Sequence, residues 1–224
     1  MLRAFFIILL SISVSQPNPV YANHKLSEIL DGIRKRYGYL PGLTISYKRE
    51  IITKSMAMLG EQMSRDLASG KIHFKPPYLL RIQQETPRSE VVITDGKTLW
   101  WYIPQKKQVY RHPANKSAQE LRLLSDIFQG LREVEESFVS ELSSLDNEGE
   151  YQLKLIPNPP WPQIEQVNLI VKKGDFHIRV VEIHNYLGSI TRFILGDLTV
   201  RERFEEGFFR FVVPDDVKVM EEGG

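Results

Sequence analysis

Short stretches that alternate apolar and polar residues with a period of two recur along most of this chain, and they constrain its fold more than any other feature. Such alternation is typical of strands with one buried face. Turn-forming residues separate the stretches, as at 146–149 and 173–175. Together they predict an antiparallel sheet or barrel. The alternating stretches are 72–74, 80–82, 151–155, 167–171, 178–180, 190–194 and 209–211.

Three segments have helical spacing instead. The first begins after Asn23 and ends at Gly38, and the second spans about 117–129. In the third, we expect 131–136 to be a helix that leads into a strand at 138–143. The apolar stripe of the first helix is Leu26, Ile29, Leu30 and Ile33, and that of the second is Leu121, Leu124, Ile127 and Phe128.

The stretch ITDGKTLWWYIP, residues 93–104, contains the Gly-Lys-Thr of a phosphate-binding loop. That loop needs a second glycine where this chain has Val91, and a helix rather than an aromatic strand after it. Asp-Gly between two apolar runs instead predicts a hairpin with a two-residue turn, and both of its faces are then apolar. The predicted pairs are Thr94 with Lys97, Val92 with Leu99, and Val91 with Trp100.

The first 22 residues have the features of a secretory signal peptide. Arg3 precedes an apolar run at 4–14, and 20–22 reads Val-Tyr-Ala, with small residues where a signal peptidase cleaves. We therefore expect a mature protein of one domain, 23–224, in a bacterial periplasm, with a retained N-terminal membrane anchor as the alternative. The chain has no cysteine, so we expect neither a lipid anchor nor disulfides. Without Arg3 the 28 basic residues equal the 28 acidic ones, which disfavours a nucleic-acid partner.

No pattern in the sequence indicates catalysis or a metal. The five histidines lack the spacing of a helical zinc site, and there is no thiolate ligand. No Gly-x-Ser-x-Gly nucleophile motif occurs. We therefore predict no catalytic residue and no metal, and we favour a binding protein over a lipid-processing enzyme, which stays an alternative.

Residues 70–109, GKIHFKPPYLLRIQQETPRSEVVITDGKTLWWYIPQKKQV, resemble the periplasmic outer-membrane lipoprotein carrier proteins. The end of the chain, FVVPDDV at 211–217, is similar to the closing Phe-x-x-Pro-x-x-Val of that family. The matching central positions are Gly70, Pro77, Asp95, Gly96, Lys97, Thr98, Leu99, Trp100, Tyr102, Pro104, Gln108 and Val109.

The resemblance implies a mainly β fold: an unclosed, strongly bent antiparallel β-barrel covered by a lid of two to three α-helices. It also implies a monomeric carrier, not an enzyme, that shelters the acyl chains of lipoproteins in an apolar cavity, with no cofactor and no covalent step. Its partners would be the acylated lipoproteins, an inner-membrane ABC-type lipoprotein release complex and an outer-membrane acceptor lipoprotein. The same fold also serves lipid-sensing or lipoprotein-sensing regulators and glycolipid carriers, and a filled core without a cavity remains an alternative.

Alternation and the resemblance together indicate which residues meet the acyl chains. On the strands we expect Leu80, Ile82, Val92, Trp100 and Trp101. On the helices we expect Leu30, Ile33, Leu124 and Phe128. Which face of the 91–103 hairpin lines the cavity stays open.

One position departs from the family pattern. The family has Arg immediately before the proline that corresponds to Pro77, where it helps to hold the lid closed, and this chain has Pro76 there. Lys75 and Arg81 are the nearest basic residues that could replace it, although a lysine lacks the planar donor group of arginine.

Overall fold

The computed structural model describes residues 19–54, 66–113, 119–145 and 149–221. Helix α1 spans Pro19–Tyr37, α2 Gln119–Phe128 and α3 Val134–Ser137. The strands are β1 Leu43–Ile52, β2 Asp66–Lys75, β3 Leu79–Thr86, β4 Glu90–Thr94, β5 Thr98–Ile103, β6 Gln108–Pro113, β7 Phe138–Leu145, β8 Glu150–Pro157, β9 Gln166–Lys172, β10 Ile178–His184, β11 Ile190–Val200 and β12 Lys218–Glu221.

All of these strands belong to one sheet, in the order β12-β6-β5-β4-β3-β2-β1-β11-β10-β9-β8-β7. Neighbours pair antiparallel, except for β12, which runs parallel to β6. Strands β7 and β12 lie at the two ends of the sheet and do not pair with each other. The sheet curls and stays unclosed, which confirms the predicted fold class.

Two glycines lie where the sheet bends. A side chain at Gly70 would overlap the backbone carbonyl of Gln83, and the pairing of β2 with β3 shifts register beside it, between Ser69 and Gly70. A side chain at Gly196 would overlap the Ser46 hydroxyl, next to a second register shift in β1. Such irregularities bend a strand and increase its twist. The close approach of the β3 backbone therefore requires glycine at Gly70, whereas at Gly196 the close atom is a hydroxyl that can rotate away.

Helices α1 and α2 cover the concave face of the sheet, as their apolar stripes predict. Ile29, Ile33 and Ile127 are fully buried, and the ring of Phe128 lies 5.8 Å from that of Phe74 on β2. Helix α3 begins at Val134 rather than at 131, because Gly130 and Leu131 have positive φ angles of 76° and 53°. The strand that follows, β7, confirms the predicted change from helix to strand.

The hairpin of β4 and β5 forms, but its predicted register is wrong by two residues. Leu99 pairs with Thr94, and Trp101 pairs with Val92. The loop is longer because the Asp95 carboxylate accepts hydrogen bonds from the backbone N–H groups of Lys97 and Thr98, at 2.9 and 2.8 Å. A shift of two residues leaves every side chain on its predicted face.

The strand predicted at 209–211 is wrong. Backbone hydrogen bonds from Phe208 to Glu205 and from Arg210 to Gly207 make turns here instead of a ladder. We name residues 201–217 the C-terminal segment, and it lies across the convex face of the sheet. Its Phe211 ring packs 5.6 Å from Trp100. The alternation of aromatic residues in this segment therefore reflects packing onto a sheet and not membership of one.

The predicted signal peptide falls mostly on residues 1–18, outside the described part of the chain. Helix α1 begins at Pro19, so cleavage after Ala22 would remove its first residues and leave its apolar stripe intact. Within the described ranges, no helix combines the length and the apolar character needed to cross a membrane. The boundary between 22 and 23 stays a prediction.

Candidate functional site

The concave face of the sheet is the candidate site, because most of the predicted residues meet there. Ile82 pairs with Val92, and Val92 pairs with Trp101, so these three side chains lie on the same face. Leu80 precedes Ile82 by two residues and shares that face. The 91–103 hairpin therefore turns Val92 and Trp101 toward the concave side.

Trp100 lies on the opposite, convex face. It pairs with Ile93 and Arg111, and its ring stacks on Phe211 of the C-terminal segment. A single cavity cannot be lined by both Trp100 and Trp101, since adjacent strand residues point to opposite faces. We therefore place Trp100 outside the candidate site.

The four predicted helix residues pack against the predicted strand residues. Leu30, Ile33, Leu124 and Phe128 are buried in one apolar cluster with Leu80 and Ile82, and Val92 packs against that cluster. This part of the concave face, which we name the covered part, is thus filled by side chains of α1 and α2. It opens to a ligand only if a helix moves.

Beside the covered part lies a more open surface, which we name the aromatic shelf: Val92, Trp101 and Tyr110. The rings of Trp101 and Tyr110 lie 5.3 Å apart, and Trp101 is 37% exposed. The indole N–H of Trp101 donates a hydrogen bond of 2.9 Å to the Glu90 carboxylate, which orients the ring. The shelf is an accessible apolar surface continuous with the buried one.

A row of polar side chains crosses the same concave face, and we name it the polar row: Arg49, Gln84 and Glu90. The guanidinium of Arg49 donates to the Gln84 side-chain oxygen at 3.3 Å, and Gln84 pairs across the strands with Glu90. Arg49 can reach across β2 because Ala68 and Gly70 stand between it and β3. Gln84 and Glu90 are buried, at 8% and 9% exposure.

Burial alters the pKa values of two groups around the polar row. Burial raises the pKa of Tyr47, two residues before Arg49 on the same face, to about 12. At the start of α2, desolvation raises the pKa of the Glu120 carboxyl, although Glu120 as a whole residue is exposed. The Arg49 charge and the Thr191 hydroxyl oppose that rise.

Helix α1 is fixed by directional polar contacts. The buried Tyr37 hydroxyl accepts a hydrogen bond of 3.0 Å from the backbone N–H of Ile178 and lies 3.2 Å from His177 Nδ1. Arg36 pairs with the Asp175 carboxylate at 3.3 Å. A side chain at Gly32 would overlap the ring of Phe176, so α1 approaches the 173–177 turn closely. Helix α1 therefore belongs to the fixed frame of the fold.

Among the described residues, helix α2 makes fewer polar contacts with the rest of the fold than α1 does. The Gln119 side chain accepts a hydrogen bond of 3.0 Å from the Gln163 backbone, and Thr191 donates to Glu120 at 3.4 Å. Asp126 is partly buried, which raises its pKa to about 6, while Arg122 acts in the opposite direction from 4.0 Å. Docking of α2 thus depends mainly on apolar packing. Partial burial of the Asp126 carboxylate costs free energy and opposes it.

Neither basic residue near Pro76 lies against the helices. Arg81 is on the convex face, where it donates to the Phe208 carbonyl at 2.8 Å and lies 4.9 Å from the Phe208 ring. Lys75 is exposed at the end of β2. A pocket of about 260 Å³ separates Pro77 and Tyr78 from the C-terminal end of α2. Arg81 therefore holds the C-terminal segment, not the lid.

Sequence reasoning missed the polar row, although one signal for it was present. Residues 43–52 were not recognised as a strand, yet Ile45 and Tyr47 alternate with Ser46 and Lys48. That alternation places Arg49 on the same face as Tyr47. Among the described residues no group of three or more histidine or acidic side chains could hold a metal ion.

The family model of the outer membrane lipoprotein carrier protein LolA matches residues 58–212. The chain is 54% identical over 41 residues to an outer-membrane lipoprotein carrier protein of Histophilus somni, a match that covers 18% of this chain and 20% of that protein. It is 21% identical over 221 residues to the carrier protein of Nitrosomonas europaea, over 98% of this chain and 99% of that one.

The fold is similar to that of an uncharacterized conserved protein from Thermus thermophilus. The TM-score is 0.53 at 13% identity, over 88% of this chain and 99% of the other. That likeness concerns the fold alone, while the family match extends over more than half of the chain and includes the hairpin and both sheet faces described above. The chain belongs to the family of the outer-membrane lipoprotein carrier protein LolA.

Proposed function

We propose that this chain is a periplasmic carrier that shelters the acyl chains of lipoproteins and moves them from the inner membrane to the outer membrane. The observation that carries the proposal is the continuity of the aromatic shelf with the apolar cluster under α1 and α2. Acyl chains that first meet Trp101 and Val92 then have an apolar route inward, once α2 is displaced. Binding is non-covalent and needs no cofactor.

The energetics suit a carrier. Each buried methylene contributes about 0.8 kcal/mol, so sheltering about ten of them gives about 8 kcal/mol. Displacing α2 removes the contacts of Leu124 and Phe128 with the sheet, and the acyl chains replace them. The net affinity is therefore moderate, as release to an acceptor requires. Because α2 covers the apolar cluster in the empty protein, the carrier hides its apolar surface when it has no cargo.

The partners proposed are an inner-membrane ABC-type lipoprotein release complex as donor and an outer-membrane acceptor lipoprotein. Support for them comes from membership of the family and from the names of the relatives, which are lipoprotein carriers. The mass spectrum of lipids and lipoproteins that co-purify with the chain from a periplasm would identify the cargo. Triacylated lipoproteins would support the proposal, while glycolipids alone would contradict it.

A covalent crosslink that locks α2 tests the mechanism directly, because the native chain contains no cysteine. Glu120→Cys and Thr191→Cys place one thiol on α2 and one on β11, where the native side chains meet at 3.4 Å, and a short bis-maleimide joins the two thiols. We expect the crosslinked protein to bind a synthetic triacylated lipopeptide at least tenfold more weakly than the same variant before crosslinking. Glu120→Cys alone, treated with the same reagent, is the control and should bind equally before and after treatment. Equal binding by the crosslinked and uncrosslinked double variant would contradict displacement of α2.

A further inference from the structure

The polar row places a hydrogen-bond donor inside the candidate site that the fold does not use. The Nε–H of Arg49 is buried and has no hydrogen-bond partner among the described residues. Arg49 also makes no ion pair there, and its one hydrogen bond goes to the neutral side chain of Gln84. A buried donor without a partner costs free energy, so it is retained where a ligand supplies the acceptor.

Arg49 lies where the polar end of a bound acyl chain would lie, and not where its hydrocarbon part would lie. Its bonded partner Gln84 follows Ile82 by two residues on the concave face, so the guanidinium lies next to the apolar surface without being part of it. Glu90, the cross-strand neighbour of Gln84, holds the Trp101 ring of the aromatic shelf. An acyl chain on Trp101, Val92 and Ile82 therefore has its polar end within reach of the polar row.

The charges around Arg49 decide which acceptor it suits. Glu90, on the same face, pairs with the Arg88 guanidinium at 3.6 Å, whereas the Glu120 carboxyl is close enough to interact electrostatically with Arg49. One carboxylate facing the one charge of Arg49 leaves little net positive potential for an anion. Neutral carbonyl oxygens, in contrast, accept a hydrogen bond without bringing a further negative charge.

We propose that Arg49 donates hydrogen bonds to the ester or amide carbonyls at the head of the bound acyl chains, and that the polar row selects uncharged acyl-glyceryl heads over anionic phosphate heads. This inference rests on the function proposed above and adds a determinant of cargo class to it. Arg49 is a specificity residue, while the apolar contacts supply most of the affinity.

The test compares probes that share chains but differ in their heads. Wild type and Arg49→Met are titrated with a triacylated lipopeptide and with a fluorescent hydrocarbon that lacks carbonyls. We expect Arg49→Met to weaken lipopeptide binding about three- to tenfold, as for one lost hydrogen bond, and to leave hydrocarbon binding unchanged. Lys48→Met, on the exposed convex side of the same strand, is the matched control and should change neither. Arg49→Gln, which keeps an N–H donor, should recover part of the loss.

Other outcomes overturn the inference. If Arg49→Met weakens both probes equally, Arg49 only supports the sheet through Gln84. If it weakens neither while wild type binds the lipopeptide, the carrier function stands and the role of Arg49 is wrong. If wild type prefers vesicles of phosphatidylglycerol to the lipopeptide and the variant loses that preference, the selected head is anionic. If wild type binds no lipopeptide, the proposed function itself fails.

Discussion

Trp100 and Trp101 are adjacent in sequence, and they show how differently the two faces of the sheet are covered. On the convex face Trp100 packs beneath the C-terminal segment, with Phe211 at 5.6 Å and the Arg111 guanidinium at 5.4 Å. On the concave face Trp101 lies beside Val92, Tyr110 and the Glu90 carboxylate and is 37% exposed. At this position the C-terminal segment covers the convex face, while the concave face offers an accessible apolar surface.

Polar contacts explain why the C-terminal segment is held on the convex face more firmly than α2 is held on the concave face. On the convex face Arg81 donates to the Phe208 carbonyl, His73 lies 2.9 Å from the Thr44 hydroxyl, and Arg201 donates to that same hydroxyl. On the concave face α2 is held chiefly by apolar side chains. Apolar packing is not directional, so an acyl chain can replace a phenylalanine in these contacts. The comparison teaches that the replaceable cover is α2, which directional bonds hold less than they hold α1 or the C-terminal segment.

The largest expected effect comes from placing a charge on the concave face. Leu80→Glu buries a carboxylate in the apolar cluster, where an unpaired charge costs several kcal/mol. We expect it to abolish binding of an acyl probe and to lower Tm by more than about 10 °C. Arg81→Glu, one residue along, should lower Tm by a few degrees and leave probe binding nearly unchanged. Equal losses of binding would mean that the two faces do not differ in function.

Replacing Trp101 should affect mainly acyl-probe binding, and replacing Trp100 should affect mainly stability. Trp101→Ala should weaken acyl-probe binding about tenfold with little change in Tm, because the ring is partly exposed. Trp100→Ala should do the reverse, since it removes packing beneath Phe211 and costs about 2–4 kcal/mol of unfolding free energy. Titration and thermal unfolding of the two variants check both halves. Loss of binding in Trp100→Ala alone would place the site on the convex face.

Docking of α2 should weaken as pH rises. The pKa of Asp126 is raised in the folded protein from 3.8 to about 6, mainly by burial, with Glu133 adding to the rise and Arg122 opposing it. Because the pKa of this acid is raised on folding, the free-energy cost of burying the ionised Asp126 carboxylate is absent below about pH 4 and complete above about pH 6. We therefore expect Asp126→Asn to raise Tm at pH 7.5 but not at pH 4. Hydrogen exchange of α2 at pH 5 and 7.5 should show the same trend, and an equal gain at both pH values would contradict it.

The smallest effect concerns the lid near Pro76. Without an arginine there, closure depends on apolar contact, which salt screens little. An environment-sensitive probe on α2 should report partial opening without cargo, and higher ionic strength should change that population little. Pro76→Arg should shift it toward the closed state, since a new side chain near Pro77 would face the pocket of about 260 Å³ beside α2. A uniformly closed empty protein, or sharp opening by salt, would contradict this.

Alternation predicted the faces of the strands well, because it is a local property of extended backbone. The hairpin register was wrong, yet Val92 and Trp101 kept their face, since the error was two residues. The C-terminal segment was misread because Phe209 and Phe211 are spaced like strand residues, while turn bonds to Gly207 and Glu205 control the backbone. The local spacing of residues does not determine which partner a backbone group hydrogen-bonds to.

The polar row was not predicted for a different reason. The partnership of Arg49 with Gln84 joins residues that are 35 positions apart and depends on small residues in the strand between them. Periodicity places a side chain on a face, but only the order of strands places two such side chains at the same level. The candidate site was therefore predictable in its apolar part and not in its polar part.

The chain path from β6 to β7 has a mechanical consequence. Strand β6 lies next to one end of the unclosed sheet, β7 forms the other end, and the residues between them, 114–137, carry α2 and α3. In the described part of this connection, 119–137, only a short turn and α3 separate α2 from β7. We therefore expect a ligand that displaces α2 to pull also on β7, so that cargo binding and the curvature of the sheet change together.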